Sequence, residues 1–131
     1  MHLVIDGMNV IGARPDGWWR DRAAARRALV AELASFARVH PRDEVTVVFD
    51  GRPGPGETDG TCEDGIRTLF ARGGPDAADH AIVRLLEDLA ETSGSEDDVT
   101  VVTSDAVLAE RTRRLGARVE GAGSFRARLD S

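Results

Sequence analysis

Three apolar runs rich in β-branched residues each lead into an aspartate, and this repeated pattern constrains the fold more than any other feature of the sequence. The runs are residues 3–5 before Asp6, residues 45–49 before Asp50, and residues 99–103, which Ser104 separates from Asp105. Their nearly continuous hydrophobicity is typical of strands that are covered on both faces of a parallel sheet. A further run, Ile66–Ala71, alternates more and predicts an outer strand.

Helical patterns lie between these strands, over residues 20–39, 79–92 and 105–115. The alternation of strands and helices predicts an α/β fold with a mostly parallel central sheet of four to five strands flanked by helices. Residues 118–119 predict a short last strand, and residues 124–129 predict a terminal helix. The segment 51–60 is rich in Gly and Pro and predicts a mobile loop.

The chain has 131 residues, 41% hydrophobic and 31% charged, which predicts one globular domain over residues 1–131. The single cysteine, Cys62, excludes an internal disulfide and a cysteine-based zinc site. The first residues show no signal-peptide pattern, and no apolar run reaches the ~18 residues of a transmembrane helix. We therefore expect a cytoplasmic protein without a membrane partner.

Acidic side chains from four segments are expected at one edge of this sheet: Asp6, Asp50, Asp79 and Asp105. Parallel strands bring their carboxyl ends together, and Asp79 begins the helix that precedes the last of these strands. Clustered carboxylates repel one another, and Mg²⁺ or Mn²⁺ would offset that repulsion. Each acid alone has an ordinary explanation as a helix cap or turn residue, so only the cluster predicts a metal site.

Asn9 lies three residues after Asp6, beyond a turn expected at Gly7. Its amide can orient a carboxylate, a water or a phosphate oxygen without adding charge. It can equally bond to the backbone of the turn, as Asn often does.

Four segments together resemble a known family: LVIDGMNV at residues 3–10, VVFDG at 47–51, ADHAI at 78–82 and VTSD at 102–105. They look like the NYN domains of the PIN-like nuclease superfamily, with the nearest likeness to the YacP-like bacterial branch. The motifs occur in family order and cover nearly the whole chain. The resemblance implies a PIN-like Rossmannoid fold and a ribonuclease that uses Mg²⁺ or Mn²⁺ and leaves 5′-phosphate and 3′-hydroxyl ends.

The resemblance also implies roles for individual residues. Asp6, Asp79 and Asp105 match the acidic positions of the family, and Asn9 matches its polar position. Asp6 and Asp105 would be direct metal ligands, and Asp79 would be a ligand or would orient water. Asp50 matches an acid that many relatives have, and it would serve a second metal.

His80 departs from the family, which often has two consecutive acids where this chain has Asp79 and His80. His80 could bind a metal, shuttle a proton or face solvent from its helix, and Asp76 could partly replace the second acid. If that acid is essential, the alternative function is a non-cleaving RNA- or ribosome-binding module that retains the PIN-like fold.

The net charge of −6 is unlike that of a general nucleic-acid binder, so RNA would have to meet a local basic face. Candidates for contact with single-stranded RNA are Arg14, Trp18, Arg20, Arg22 and Arg52. Trp beside Arg could stack an unpaired base. The tryptophans could equally pack in the core, and the arginines could be the solvated side of a helix.

Two related architectures are set aside because all 17 basic residues are Arg. Receiver domains and haloacid-dehalogenase phosphatases also gather acids at strand ends, but both use a lysine. A dinucleotide-binding domain would need a Gly-x-Gly-x-x-Gly segment after the first strand, and the sequence lacks one there.

Overall fold

A computed structural model describes residues 1–61, 65–74, 76–93 and 98–130, so Cys62 lies outside the described residues. The strands are β1 (His2–Asp6), β2 (Glu44–Asp50), β3 (Gly60–Thr61), β4 (Ile66–Ala71), β5 (Val99–Val102) and β6 (Arg118–Glu120). The helices are α1 (Gly7–Gly12), α2 (Arg22–Val39), α3 (Ala77–Ser93), α4 (Ala106–Arg114) and α5 (Ala122–Asp130). A short 3-10 turn, Trp18–Arg20, precedes α2.

The strands form one sheet in the order β3-β4-β2-β1-β5-β6. The pairs β4–β2, β2–β1, β1–β5 and β5–β6 are parallel, which confirms the predicted α/β class. Among the strands in the described ranges, only the two-residue β3, at the end of the segment predicted as a loop, pairs antiparallel, with β4. Strand order reverses at β1, which lies between β2 and β5, and in such sheets ligands bind beyond the strand ends at this point.

Each face of the sheet has its own apolar core. Leu3 and Ile5 of β1 pack with residues of α1, α2 and α5, whereas Val4 packs with residues of α3 and α4. The strands are therefore covered on both sides, which explains their nearly continuous hydrophobicity. None of the helices in the described part of the chain has the length and apolar content that crossing a bilayer requires.

Helix α1 was not predicted, because Asp6 followed by Gly7 reads as a turn. The chain instead enters the helix directly from β1, and Gly7 is its first residue. A Cβ atom at Gly7 would lie 2.4 Å from the ring of Phe49 on β2. Glycine is therefore needed here for close approach of α1 to the sheet, and a turn is not the reason for it.

The segment 51–60, whose composition predicts a mobile loop, contacts α2 at its centre. Arg26 of α2 donates two hydrogen bonds to the carboxylate of Glu57, each 2.7 Å long. The Glu57 side chain is only 5% exposed. Its carboxylate also accepts a hydrogen bond from the backbone N–H of Gly54, which folds the segment onto α2.

Candidate functional site

Strand periodicity places Asp6 and Asp50 on the same face of the sheet. Successive strand side chains alternate between faces, so Asp6 shares the face of Val4, and Asp50 shares the face of Val48. Val4 and Val48 both belong to the core beneath α3 and α4. Since α3 carries Asp79 and α4 begins after Asp105, the acidic side chains predicted from the sequence converge on this side of the strand ends.

Thr103 connects the two acids at the centre of the sheet. Its hydroxyl donates a 2.8 Å hydrogen bond to Oδ2 of Asp6 and accepts one of 3.1 Å from the backbone N–H of Asp105. Asp105 in turn caps α4 by accepting a 3.0 Å hydrogen bond from the backbone N–H of Leu108. One buried hydroxyl therefore fixes both a carboxylate and the turn that presents the next one.

No role was predicted for Thr103, although it lies in the VTSD motif at residues 102–105. The strand period could have indicated one. Thr103 lies two residues after Val101, so the two side chains share a face of the sheet, and Val101 packs on the same face as Asp6. A hydroxyl-bearing residue at that position is the one that can reach the neighbouring carboxylate.

Asp6 carries the strongest electrostatic perturbation in the cluster. The residue is 4% exposed. Its pKa is raised from 3.8 to about 6, with burial as the largest cause, while the hydrogen bond from Thr103 lowers it in part. The charges of Asp79, Asp50 and Asp105 each contribute to the raised pKa of Asp6, so all three lie within electrostatic range of it.

Asp79 is a partly buried residue in the first turn of α3, and its pKa is also raised. Burial is the largest cause, followed by the negative charges of Asp105, Asp76 and Asp50. His80, on the same helix, faces solvent, which was one of the three alternatives that the sequence left open for it. Asp76 is also exposed.

Asp50 is tied to the start of the same helix. Its Oδ1 atom accepts a 3.0 Å hydrogen bond from the backbone N–H of Ala78, the residue before Asp79. The end of β2 and the first turn of α3 are thereby held together. This contact gives Asp50 a structural role in addition to any role in binding a ligand.

Asn9 joins α1 to the loop that follows β5. Its side-chain oxygen accepts a 2.9 Å hydrogen bond from the backbone N–H of Ser104. Because only the amide oxygen can accept from an N–H group, the NH₂ group of Asn9 points away from this contact. The Ser104 hydroxyl accepts a 2.9 Å hydrogen bond from the backbone N–H of Ala122, which links the loop to α5.

The donor set suits a hard divalent cation, since it consists of carboxylate oxygens whose mutual repulsion such an ion relieves. Across residues 1–61, 65–74, 76–93 and 98–130, however, no three Asp, Glu, His or Cys side chains are gathered closely enough to hold a metal ion. The acids are near enough to shift the pKa values of Asp6 and Asp79, and metal binding would require their side chains to turn towards one another.

The residues predicted to contact RNA differ in their exposure and in whether their charge is already paired. Arg14 is ion-paired with Asp130 of α5 and lies 4.0 Å from Asp16, so its charge is already balanced. Trp18 is partly buried and packs against the apolar core. Three predicted residues are exposed: Arg20, Arg22 and Arg52.

Comparison with known proteins agrees with the sequence motifs and the sheet. The family profile of the YacP-like NYN domain matches residues 3–131. A crystal structure of Rae1 (YacP) from Bacillus subtilis superposes with a TM-score of 0.77 at 24% identity, covering 99% of this chain and 74% of that one. A substituted variant of the same protein gives a TM-score of 0.73 at 22% identity, with the same coverage.

No protein with curated annotation matches the chain. At this level of identity the structural matches show a shared fold, while the family profile covers nearly every residue. The chain belongs to the YacP-like NYN domain family, a branch of the PIN-like nucleases.

Proposed function

We propose that the protein is a divalent-metal-dependent ribonuclease that hydrolyses phosphodiester bonds at the aspartate cluster. The observation that carries this proposal is the buried Asp6, whose pKa is raised to about 6 by burial and by three neighbouring carboxylates. Keeping such a group costs stability, and perturbed carboxylates in one place are typical of functional sites. A cation that binds them would recover that cost.

Asp6 and Asp105 would bind the metal directly, Asp79 would bind it or orient water, and Asp50 would serve a second ion. Bound Mg²⁺ or Mn²⁺ would make water a better nucleophile and offset the negative charge that develops on the phosphate. Thr103 engages Oδ2 of Asp6, which leaves Oδ1 as the oxygen best placed for other partners.

Asn9 would contribute a neutral donor at the same edge. Its oxygen is engaged by the backbone of Ser104, so the NH₂ group is the part that can donate to a phosphate oxygen. Hydrolysis forms a bond between the water oxygen and phosphorus and breaks the bond from phosphorus to the 3′ oxygen, leaving the ends that the family resemblance implies.

The substrate would be single-stranded RNA, and we place the activity in the cytoplasm, where the ribosome is a candidate partner that presents it. Arg20, Arg22 and Arg52 support this proposal, because they are exposed arginines in a chain whose net charge is −6. Arg52 lies two residues after the end of β2, and Arg20 and Arg22 lie just before and at the start of α2. Such residues can hold phosphates while the rest of the surface stays acidic.

The test is cleavage of end-labelled single-stranded RNA with Mg²⁺ or Mn²⁺, with chelator as the blank. We expect Asp6→Asn and Asp79→Asn to slow cleavage by about 100-fold or more. Asp43→Asn is the matched control, because Asp43 precedes β2 at the opposite end of the sheet and pairs with the N-terminal amine at 3.7 Å. Metal-dependent cleavage that is absent in the wild type, or equal in Asp6→Asn, would refute the proposal.

The second candidate is a module that binds RNA or the ribosome without cleaving it. The exposed His80, at a position where relatives often have a second acid, favours this candidate. Titration of wild type with fluorescent RNA separates the two: binding with no turnover in either metal supports the module, and turnover excludes it.

A further inference from the structure

The chain has two tryptophans and no tyrosine, and both tryptophans lie in the 3-10 turn before α2. Gly17 starts this turn with φ of +81°, a backbone conformation that a residue with a Cβ atom rarely adopts. The two indole rings of this turn have different surroundings. Trp18 packs against the core beneath α2, while Trp19 is 52% exposed.

Trp18 is held on several sides. Its ring lies 3.9 Å from where a Cβ atom of Gly12 would be, at the end of α1. The guanidinium group of Arg22 lies over the ring, 5.4 Å from its centroid. Trp19 meets Trp18 edge to face, with centroids 6.0 Å apart and an interplanar angle of 86°. Trp18 therefore supports Trp19 and leaves much of the Trp19 ring open to solvent.

The charges around Trp19 favour an anionic partner. Arg20 follows Trp19 directly in the chain and Arg22 comes two residues later, and both are exposed. Two acids lie near it in the chain: Asp21 caps α2 by accepting a 3.0 Å hydrogen bond from Ala24 N–H, where the partial positive charge of the helix N-terminus offsets its own. Asp16 lies 4.0 Å from Arg14, which also pairs with Asp130. A large exposed aromatic ring close in the chain to exposed arginines is the combination that holds a base and its phosphates.

Helix α1 connects this surface to the acidic cluster. It begins at Gly7, directly after Asp6, and its last residue, Gly12, lies against Trp18. Six helical residues span about 9 Å. A stacked strand advances about 3.4 Å per nucleotide, so an RNA strand at the carboxylates would reach the tryptophans within a few nucleotides.

We propose that Trp19 is a base-stacking residue that holds an unpaired nucleobase of an RNA strand whose phosphodiester lies at the aspartate cluster. The proposal rests on the ribonuclease function proposed above and moves the stacking role from Trp18, the residue that the sequence favoured, to its neighbour. Arg20 and Arg22 bind the phosphates on either side of that base. Recognition is of single-stranded RNA without a fixed sequence, because every base offers a face for stacking.

The experiment uses the two tryptophans as the only strong intrinsic fluorophores of the chain. In an Asp6→Asn background, which prevents turnover, Trp18→Phe leaves Trp19 as the reporter and Trp19→Leu leaves Trp18. We expect single-stranded RNA to quench Trp19 and to leave Trp18 nearly unchanged. A ribose-phosphate strand without bases and an A-form RNA duplex should leave both reporters nearly unchanged.

Affinity gives a second measurement that does not depend on Trp18→Phe folding. By anisotropy of labelled RNA, Trp19→Leu should bind roughly 5- to 100-fold more weakly than its parent, the loss expected for one base stack. Its thermal midpoint should be unchanged because Trp19 is exposed. Equal affinity of Trp19→Leu and parent, or equal quenching by the baseless strand, overturns the proposal.

These outcomes are distinct from failure of the ribonuclease function. If RNA quenches Trp19 but the wild type does not cleave, the stacking site stands and the nuclease proposal fails. If the wild type cleaves and Trp19→Leu binds RNA as tightly as its parent, the nuclease proposal stands and Trp19 has no part in substrate binding.

Discussion

The Thr103 hydroxyl donates a 2.8 Å hydrogen bond to Oδ2 of Asp6, so the end of β5 is joined to the end of β1 directly beneath the acidic cluster. The same hydroxyl accepts from the backbone N–H of Asp105. Both groups that contact the hydroxyl thus belong to residues proposed to bind metal. The arrangement makes Thr103 a positioning residue, and it can be tested without metal or RNA.

Replacing Thr103 by Val should lower stability and raise the pKa of Asp6 further. Valine has a similar shape but leaves a buried carboxylate without its donor and a backbone N–H without its acceptor. A loss of about 1–3 kcal/mol in the free energy of unfolding is expected from urea titration. Thr103→Ser is the control, since it keeps the hydroxyl; if Val and Ser behave alike, the hydrogen bonds have no positioning role.

Stability of the metal-free protein should increase as pH falls from 7.5 to 5. The folded pKa of Asp6 is about 6 and its ordinary value is 3.8, so in this window the folded state binds more protons than the unfolded state. Protonation therefore favours folding, and the ionised group costs about 3 kcal/mol above pH 7. Chemical denaturation at a series of pH values measures this slope.

Asp6→Asn removes the titrating group, so it should flatten that slope and stabilise the metal-free protein by about 1–3 kcal/mol at pH 7.5. Added Mg²⁺ or Mn²⁺ should stabilise the wild type and have little effect on the variant. A variant less stable than wild type at pH 7.5 would contradict the electrostatic account of the cluster.

Glu57→Gln should release the segment 51–60 from α2. The change removes one charge from a pair with two 2.7 Å hydrogen bonds and leaves Arg26 mostly buried without its counter-ion. We expect a loss of about 1–3 kcal/mol and faster hydrogen exchange in this segment. Arg26 lowers the pKa of Glu57, so the pair stabilises the fold at neutral pH and is lost as pH falls below 4.5.

The double variant Arg26→Met/Glu57→Gln is the control for this pair. It removes both charges, and it should recover part of the stability that Glu57→Gln loses, because no buried guanidinium is left uncompensated. Purely additive losses, with no change in hydrogen exchange over 51–60, would show that the pair does not anchor the segment.

Gly7→Ala should destabilise the protein by about 1–3 kcal/mol, because the added methyl group overlaps the Phe49 ring. Phe49→Leu should lower stability by itself but relieve the overlap, so the two changes together should cost less than their sum. Thermal unfolding of the two single variants and the double variant measures this coupling. If the losses simply add, the close approach of α1 to β2 does not account for the glycine.

The sheet and the convergence of its acidic side chains could be predicted from the sequence, because both depend on the periodicity of strands. Alternation along β1 and β2 places Asp6 and Asp50 on one face, and apolar runs identify strands that are covered on both sides. These patterns are local and repeat within a few residues. A single sequence, without an alignment, is therefore enough to predict them.

The contacts that could not be predicted from the sequence join residues that are far apart in the chain. Gly7 and Phe49, Arg26 and Glu57, and Asp6 and Thr103 meet only after folding. No local pattern distinguishes a glycine needed for close approach from one needed for a turn. For the same reason the sequence favoured Trp18 for RNA contact, and only packing shows that Trp19 is the exposed ring of the two.

The position of β1 between β2 and β5 has a consequence for synthesis of the protein. Thr103 and Asp105, the partners that complete the surroundings of Asp6, are translated nearly a hundred residues after it. A nascent chain that has not yet released β5 from the exit tunnel cannot assemble the cluster. Under the proposed ribonuclease function, an incomplete chain on the ribosome would therefore lack the complete cluster with which to cleave RNA.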